Sequence, residues 1–264
     1  MTLVHQKHSA MKIEIAERQK RILDLVHDRG FVSVTQLADV MHVSEQTARR
    51  DIMSLAGQGL VSKVHGGAGL PQAAADVHYA ARRGRFAEEK ARIAHQVASC
   101  VPEGATVFID IGTTMEAVAE ALLDHQRLTI ITNHLSVALI LSRRSDFDIM
   151  LAGGILRRRD NATTGDSARD FIEQFRVGYG IFGIGGISAE GDLLDYDFRD
   201  IGVSRAAMKI SRTRFFALDH SKFNTDAVAR IGHISDANAI FTDKKPPRGL
   251  VKIIRENNVE LHVA

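Results

Sequence analysis

The chain has 264 residues, of which 45% are hydrophobic and 25% charged, and its formal net charge is +2. This composition is typical of globular proteins and excludes disordered and fibrous classes. The length exceeds one typical domain of about 100–200 residues, so we predict two folded units. A nearly neutral net charge does not by itself indicate nucleic-acid binding, although basic residues can still be concentrated on one small face.

Several kinds of site are excluded by what the sequence lacks. Cys100 is the only cysteine, which excludes an intramolecular disulfide and favours a reducing cytoplasm. The histidines lack cysteine partners and metal-ligand spacing, so we expect no metal ion, and no motif indicates a cofactor. The N-terminus lacks the apolar core of a signal peptide, and no apolar run approaches the ~20 residues that span a membrane. We therefore expect a cytoplasmic protein that does not bind a membrane.

The first seventy or so residues contain signals for three short helices and a hairpin. Residues 14–29 carry apolar side chains at helical spacing and stop at Gly30. Ser33 and Gln36 make an S-x-x-Q capping box at the start of a second helix. Ser44 is placed to cap a third helix, EQTARRDIMSLAGQG, and the alternating LVSKVHGGA predicts a hairpin. This order predicts a winged helix-turn-helix, an α+β fold.

The third helix has the features of a DNA recognition helix. Ala48, Ile52 and Leu55 form an apolar stripe that packs inward, which leaves polar residues free to reach base edges and phosphates. A run of R-R-D alone is usually a solvated face, but the two preceding helices and the glycine-closed hairpin favour DNA contact. The predicted DNA-binding residues are Ser44, Gln46, Thr47, Arg49, Arg50, Lys63 and His65.

The sequence pattern changes after this region. Residues 70–85 combine small residues, Pro71 and no clean periodicity, which predicts a linker between a DNA-binding domain at 14–69 and a second domain at 86–264. In the second domain, short apolar runs alternate with amphipathic helices. This alternation predicts an α/β domain with a mostly parallel sheet that is covered on both faces.

Glycine turns follow several predicted strands of the second domain. FIDIGTT, residues 108–114, is a strand, a turn and a helix start, which is either a phosphate cradle or a plain turn. Asp219 to Lys222 add a cation for a phosphate and a carboxylate for hydroxyl groups. Because ligands of open α/β sheets lie at the carboxyl ends of strands, these turns can converge. The predicted effector-binding residues are Asp110, Gly112, Thr113, Thr114, Asn133, Gly153, Gly154, Asp219 and Lys222.

Two parts of the chain resemble a known family. V-S-x-x-T-x-R-R-D at Val43 to Asp51 and H-G-G-A at His65 to Ala68 resemble the hallmark of the DeoR-type helix-turn-helix. LAGGILRRRDNATTGDSARDFIEQF and DHSKFNTDAVARIGHIS resemble the C-terminal sensor of that family, so the resemblance covers nearly the whole chain.

The resemblance carries expectations about fold, ligand and partners. It implies a sensor related in fold to ribose-5-phosphate isomerase and CoA transferases, and a phosphorylated sugar or polyol effector, with glycerol-3-phosphate favoured. It also implies repression at operator DNA by a nucleoid-associated homodimer or homotetramer. The residues themselves do not separate glycerol-3-phosphate from a hexose or ketose phosphate.

Other functions stay open at this point. One is a sugar-phosphate isomerase fused to a DNA-binding domain, which needs a carboxylate base such as Asp110, Asp195, Asp197 or Asp219. No paired arrangement follows from the sequence, and the resemblance favours sensing, so we expect no catalytic residue. A second is a regulator of a different sugar-phosphate pathway. A DNA-binding architectural protein without a ligand is disfavoured by the glycine turns. Arg157, Arg158 and Arg159 can also reach a phosphate, although such runs are usually solvated or lie at subunit contacts.

Overall fold

The structure is a computed structural model that describes residues 15–26, 31–64, 66–69, 79, 82–195, 201–225, 227 and 229–264. The chain divides into two compact units, with the second unit starting at Tyr79. Tyr79 and residues 82–85 of the segment predicted as a linker therefore belong with the C-terminal unit. None of the described helices is long and apolar enough to cross a membrane.

The N-terminal unit has three helices and a small antiparallel sheet. Its elements are α1 (residues 15–26), β1 (Phe31–Ser33), α2 (Val34–Met41), α3 (Glu45–Gly57), β2 (Ser62–Val64) and β3 (Gly67–Gly69). The strands are ordered β1-β3-β2. The predicted capping box is confirmed, because Gln36 N donates to Ser33 Oγ at 3.1 Å and Ser33 N donates to Gln36 Oε1 at 3.3 Å. β1 was not predicted, since a three-residue strand whose last residue is already the helix cap is too short to show alternation.

One apolar core holds this unit together. Ile22 of α1, Leu37 of α2, and Ile52 and Leu55 of α3 are all buried in it. Burial of each such side chain contributes about 1.5–3 kcal/mol. The apolar stripe predicted for the third helix is thus the face that packs inward, and the opposite face is left to solvent.

The C-terminal unit is a mixed α/β fold built around a seven-stranded sheet. Its helices are α4 (Ala87–Ser99), α5 (Thr113–Ala121), α6 (Leu135–Leu141), α7 (Asp166–Ile172), α8 (Ile201–Ile210) and α9 (Arg248–Glu256). Its strands are β4 (Thr106–Ile109), β5 (Thr129–Thr132), β6 (Asp148–Leu151), β7 (Ile155–Arg157), β8 (Ala162–Thr164), β9 (Val177–Phe182), β10 (Gly186–Ile187), β11 (Asp192–Asp195), β12 (Ser211–Ala217), β13 (Ala229–His233), β14 (Ala239–Thr242) and β15 (Glu260–Val263).

The large sheet is parallel throughout and has the order β15-β14-β12-β9-β4-β5-β6. Alternate residues of a strand face opposite layers: Val107 and Ile109 pack with helices α4 to α6, whereas Phe108 packs with α7 to α9. A parallel sheet needs cover on both faces, as the sequence predicted. Two smaller antiparallel sheets, β10-β11-β13 and β7-β8, flank it in the C-terminal unit.

Candidate nucleic-acid interface and anion site

The turn between α2 and α3 is closed by local hydrogen bonds. His42 has a left-handed φ of 53°, and Val43 N donates to Ala38 O at 3.0 Å. Ser44 caps α3 as predicted, since its Oγ accepts from Thr47 N at 3.2 Å and lies 2.9 Å from Thr47 Oγ1. These two hydroxyls therefore support each other, and both lie at the exposed start of α3.

The exposed face of α3 combines polar groups with one large apolar side chain. Gln46, Arg50 and Met53 lie at positions i, i+4 and i+7, so they form one stripe on the side away from the core. Met53 is 59% exposed. Sequence reasoning missed it, because a methionine in a helix is usually assigned to the core. Its thioether is suited to apolar contact with a base methyl group.

The two candidate arginines of α3 differ in their surroundings. Arg49 Nη2 lies 2.9 Å from Glu45 Oε2, in an exposed pair one helical turn apart. Arg50 forms no ion pair with any carboxylate in the described part of the chain. A free guanidinium fork matches both a guanine edge and a phosphate. Of the two candidates, Arg50 therefore has no described carboxylate competing with a guanine edge or a phosphate, whereas Arg49 must first break its pair with Glu45.

Asp51, the last residue of R-R-D, has a structural role that sequence reasoning missed. Arg18 of α1 donates to it twice, through Nε to Oδ2 at 2.5 Å and through Nη2 to Oδ1 at 3.1 Å. The two side chains are only 16% and 7% exposed. This bidentate pair joins α1 to α3, so Asp51 faces away from the stripe of Gln46 and Arg50.

The hairpin carries the remaining predicted DNA-binding residues. Lys63 is exposed on β2, where it pairs with Ala68 of β3. His65 lies outside the described residues. Gly66 has a φ of 83°, and its carbonyl accepts from Val34 N at 2.8 Å, which ties the hairpin to the start of α2.

In the C-terminal unit, Asp110 lies where the strand order reverses. The chain runs from β4 to β5 and β6, and then returns to place β9 on the other side of β4. Such a switch point opens a crevice at the carboxyl ends of the strands. Asp110 follows β4 directly and is buried, and Ser204 Oγ of α8 lies 3.2 and 3.1 Å from its two carboxylate oxygens.

Glycines shape this crevice. Gly112 has a φ of 118°, and α5 begins directly after it without a side-chain cap. Thr113 and Thr114 form its first turn and are half-buried. The positive end of the α5 dipole, with its N–H groups, is a ready anion site. Gly183 follows β9, and a Cβ there would lie 2.8 Å from Ile111 O, so the backbones approach closely.

Asp219 and Lys222 lie in a 3-10 turn after β12, at the same edge of the sheet. Asp219 caps this turn, because Ser221 N donates to its Oδ1 at 3.0 Å and Ser221 Oγ donates at 2.5 Å. The backbone N–H of Lys222 donates to Asp219 O at 3.1 Å, but its side-chain amine makes no hydrogen bond or ion pair within the described residues. Burial lowers the pKa of Lys222, and Asp219 opposes that effect. An anion would stabilise this charged amine.

The remaining candidates lie one or two strands away from Asp110, after β5 and β6. Asn133 holds the β7-β8 hairpin, since its Nδ2 donates to Thr163 O at 3.1 Å, while its buried Oδ1 has no hydrogen-bond partner. Gly154 has a φ of 148°, and a Cβ there would meet Thr164 O at 2.8 Å. Gly153 is exposed beside it. Hairpin packing thus accounts for Gly154 without a ligand.

The three-arginine run is explained in part by its own surroundings. Arg157 forms a bidentate pair with Asp160, at 2.8 and 2.6 Å, and both side chains are largely buried. Arg158 is exposed, and the side chain of Arg159 lies outside what the structure describes. Within the described residues, no group of His, Cys, Asp and Glu side chains is arranged to hold a metal ion.

Comparison with known families matches both units. Residues 18–74 match the DeoR-like helix-turn-helix domain, and residues 85–244 match the DeoR C terminal sensor domain.

Curated relatives match nearly the full length. The glycerol-3-phosphate regulon repressor of Escherichia coli (strain K12) is 43% identical over 247 residues, which cover 94% of this chain and 98% of that protein. The repressor of the same name from Haemophilus influenzae is 43% identical, over 92% of this chain and 95% of that protein. The HTH-type transcriptional repressor CsqR of E. coli is 38% identical, over 92% and 94%.

Solved structures give a weaker likeness. Ribose 5 phosphate isomerase A from Neisseria gonorrhoeae has a TM-score of 0.37 and 16% identity, covering 54% of each chain. A likeness of this extent carries no conclusion about activity.

Proposed function

Because this chain belongs to the DeoR family, we propose that it is a transcriptional repressor whose operator binding is relieved by a phosphorylated sugar or polyol. The resemblance expected from the sequence is thereby confirmed. Glycerol-3-phosphate is the effector that we favour, because two of the relatives are named for its regulon. A phosphorylated effector of another pathway is the alternative.

The observation that carries the DNA-binding half of this proposal is the exposed stripe on α3. Gln46 and Arg50 extend from a helix whose start is capped by Ser44, and the opposite face is buried. A recognition helix of this length fits the major groove, and a symmetric dimer or tetramer would place two such helices on half-sites about 34–36 Å apart.

The sensing half depends on the partly buried amine of Lys222, which pairs with no carboxylate in the described part of the chain. The carboxyl edge of the sheet also carries the uncapped start of α5, two strands away from β12. A phosphate can use both features, while Asp110 and Asp219 accept hydrogen bonds from hydroxyl groups. Preferential binding of the effector to the DNA-incompetent state, with a coupling of about 1–3 kcal/mol, would lower operator affinity 5–150-fold.

We expect Arg50→Ala to weaken specific operator binding about 5–150-fold, because a bidentate guanidinium–guanine pair is worth about 1–3 kcal/mol of discrimination. Arg49→Ala is expected to cost less, since Arg49 is paired with Glu45. Fluorescence anisotropy with labelled operator measures both, and Arg92→Ala, at an exposed arginine of α4, is the matched control. Equal affinity of the wild-type protein and Arg50→Ala would remove the recognition role of this stripe.

Operator affinity is also expected to fall steeply with salt. Each phosphate that a lysine or arginine neutralises adds about 0.9 to the slope of log K against log salt concentration. Arg50→Ala should reduce this slope by about 1 if the guanidinium binds a phosphate, and leave it unchanged if it reads a base edge. A flat salt response in the wild-type protein would contradict DNA binding altogether.

A sensor and an enzyme are separated by a direct assay. A sensor is expected to raise its melting temperature with glycerol-3-phosphate, because a ligand selective for the folded state stabilises it. It is expected not to convert ribose-5-phosphate or the other sugar phosphates tested. Turnover that disappears in Asp110→Asn would show that the protein is an isomerase-like enzyme and not a sensor.

A further inference from the structure

The first described residues of the C-terminal unit, Tyr79 and residues 82–86, form a stretch that we call the lead-in segment. One end of it is held at α5. Tyr79 Oη donates to Glu116 Oε1 at 2.7 Å and lies 3.1 Å from His134 Nε2, and Arg83 Nε lies 3.1 Å from Glu116 Oε2. Glu116 is buried one turn after the glycine that starts α5, and burial together with Glu116 raises the pKa of Tyr79.

The other end of the lead-in segment is held at the turn that carries Lys222. The ring of Phe86 packs edge-on against His220, with centroids 4.7 Å apart. The guanidinium of Arg85 lies over the same Phe86 ring, 5.0 Å from its centroid. His220 is itself fixed by Asp243, whose Oδ2 lies 2.6 Å from His220 Nδ1.

A buried lysine fixes the backbone between these ends. Lys90 Nζ of α4 donates to Arg82 O at 2.5 Å and to Arg85 O at 2.7 Å. The pKa of Lys90 is lowered to about 8, chiefly by burial, with Asp219 opposing the shift and the charges of Lys222, Arg82 and Arg85 adding to it. Because Lys90 donates to two backbone carbonyls of the lead-in segment, it fixes the position of the backbone at Arg82 and Arg85.

The strand order shows what the lead-in segment crosses. Its contacts lie at the ends of β5 and β12, and β4 and β9 stand between them. The ends of β5 and β12 are three strand spacings apart, which is about 14 Å. The segment therefore bridges the crevice between β4 and β9 in which Asp110 is buried. Sequence analysis had placed all of this stretch except Phe86 in the linker of residues 70–85, because that region shows no clean periodicity.

The charges of the lead-in segment point toward an anion. Arg82 and Arg85 both act electrostatically on Lys222, together with Asp219 and Asp195. Arg85 is exposed and forms no ion pair with a described carboxylate. Arg82, Arg85 and Lys222 therefore lie in one electrostatic cluster with Asp219 and Asp195, and the exposed guanidinium of Arg85 is open to an anion such as a phosphate.

We propose that the lead-in segment is a wall of the effector site and that Arg85 and Arg82 bind the effector phosphate together with Lys222. This inference rests on the proposed function. It also specifies how the site acts on DNA binding: the effector contacts the stretch of chain that directly follows residues 70–78, so its occupancy changes the anchoring of that stretch.

The first test is isothermal titration of the full chain with glycerol-3-phosphate, fructose-6-phosphate and inorganic phosphate. Arg85→Gln is expected to weaken binding of the phosphate ester about tenfold, as expected for one charge-assisted contact. Arg92→Gln, an exposed arginine of α4 beyond the segment, should leave it unchanged. Equal affinities of the wild-type chain and Arg85→Gln would overturn this inference alone. If the wild-type chain binds no phosphate ester, the proposed function fails with it.

The second test addresses the anchoring. Tyr79→Phe removes the hydroxyl that binds Glu116 and His134, and Tyr179→Phe, at a half-buried tyrosine of β9, is the matched control. Tyr79→Phe is expected to bind the effector but to release operator at least threefold less in response to it. A normal effector response in Tyr79→Phe would show that the contacts of Tyr79 do not couple effector binding to operator release. It would overturn the inference that effector occupancy acts through the anchoring of the lead-in segment.

Discussion

Replacement of Lys222 by methionine is expected to produce a repressor that binds its operator but no longer responds to effector. Methionine keeps the apolar stem and removes the charge. Loss of a charged hydrogen bond to the phosphate costs about 1.5–3 kcal/mol, which corresponds to roughly 10–150-fold weaker effector binding. Operator affinity measured by anisotropy across an effector titration gives the result directly.

If Lys222 had a structural role, its replacement would lower the melting temperature of the ligand-free protein. A phosphate-binding role predicts no such loss. Since burial lowers the pKa of Lys222, its charge costs free energy of folding in the ligand-free protein. Lys222→Met should therefore melt no lower than the wild-type protein without effector, and should lose the stabilisation that effector provides. Lys209→Met, at an exposed lysine of α8, is the control that should keep both properties. Normal induction in Lys222→Met would exclude Lys222 from the phosphate site.

The second large effect is expected from Asp51→Ala, which breaks the buried pair between α1 and α3. Removal of one partner leaves the guanidinium of Arg18 without its carboxylate in a partly buried place, which typically costs about 3–5 kcal/mol. A small domain has a free energy of unfolding of about 5–15 kcal/mol, so this loss removes much of its stability. Operator binding should disappear near physiological temperature while effector binding persists, because the C-terminal unit is a separate compact unit.

The controls for Asp51 separate charge from packing. Asp39→Ala, at an exposed aspartate of α2, should leave the melting temperature unchanged. The double variant Arg18→Met with Asp51→Leu should recover most of the stability, because apolar side chains often replace a buried ion pair without loss. Scanning calorimetry of the full chain resolves the N-terminal transition. A melting temperature of Asp51→Ala equal to that of the wild-type protein would show that the pair does not stabilise the unit.

Short-range features of both units were readable in the amino-acid sequence. The capping box of Ser33 and Gln36, and the cap at Ser44, depend on residues three positions apart, so the hydrogen bonds form wherever the helix forms. The turn after β4 at Gly112 is of the same kind, because its positive φ is a property of one residue. The parallel arrangement also followed from local pattern, since buried strands alternate with amphipathic helices.

Several short or exposed elements were absent from the prediction. β7 and β8 are three residues each, and β15 is a largely exposed edge strand, so their sequences carry little periodicity. β14 is only four residues long, and all four are buried. Its place in the sheet depends on neighbours β12 and β15, which lie elsewhere in the chain.

The sequence by itself determined the capped helix α3, the glycine turns and the family. Only the tertiary structure decided which partner each polar group has. Asp51 meets Arg18 across 33 positions and Asp110 meets Ser204 across 94, and no local pattern records such distances. The lead-in segment is the clearest case: its residues have no period of their own, and they acquire a position only because Glu116, His220 and Lys90 converge on them from three different elements.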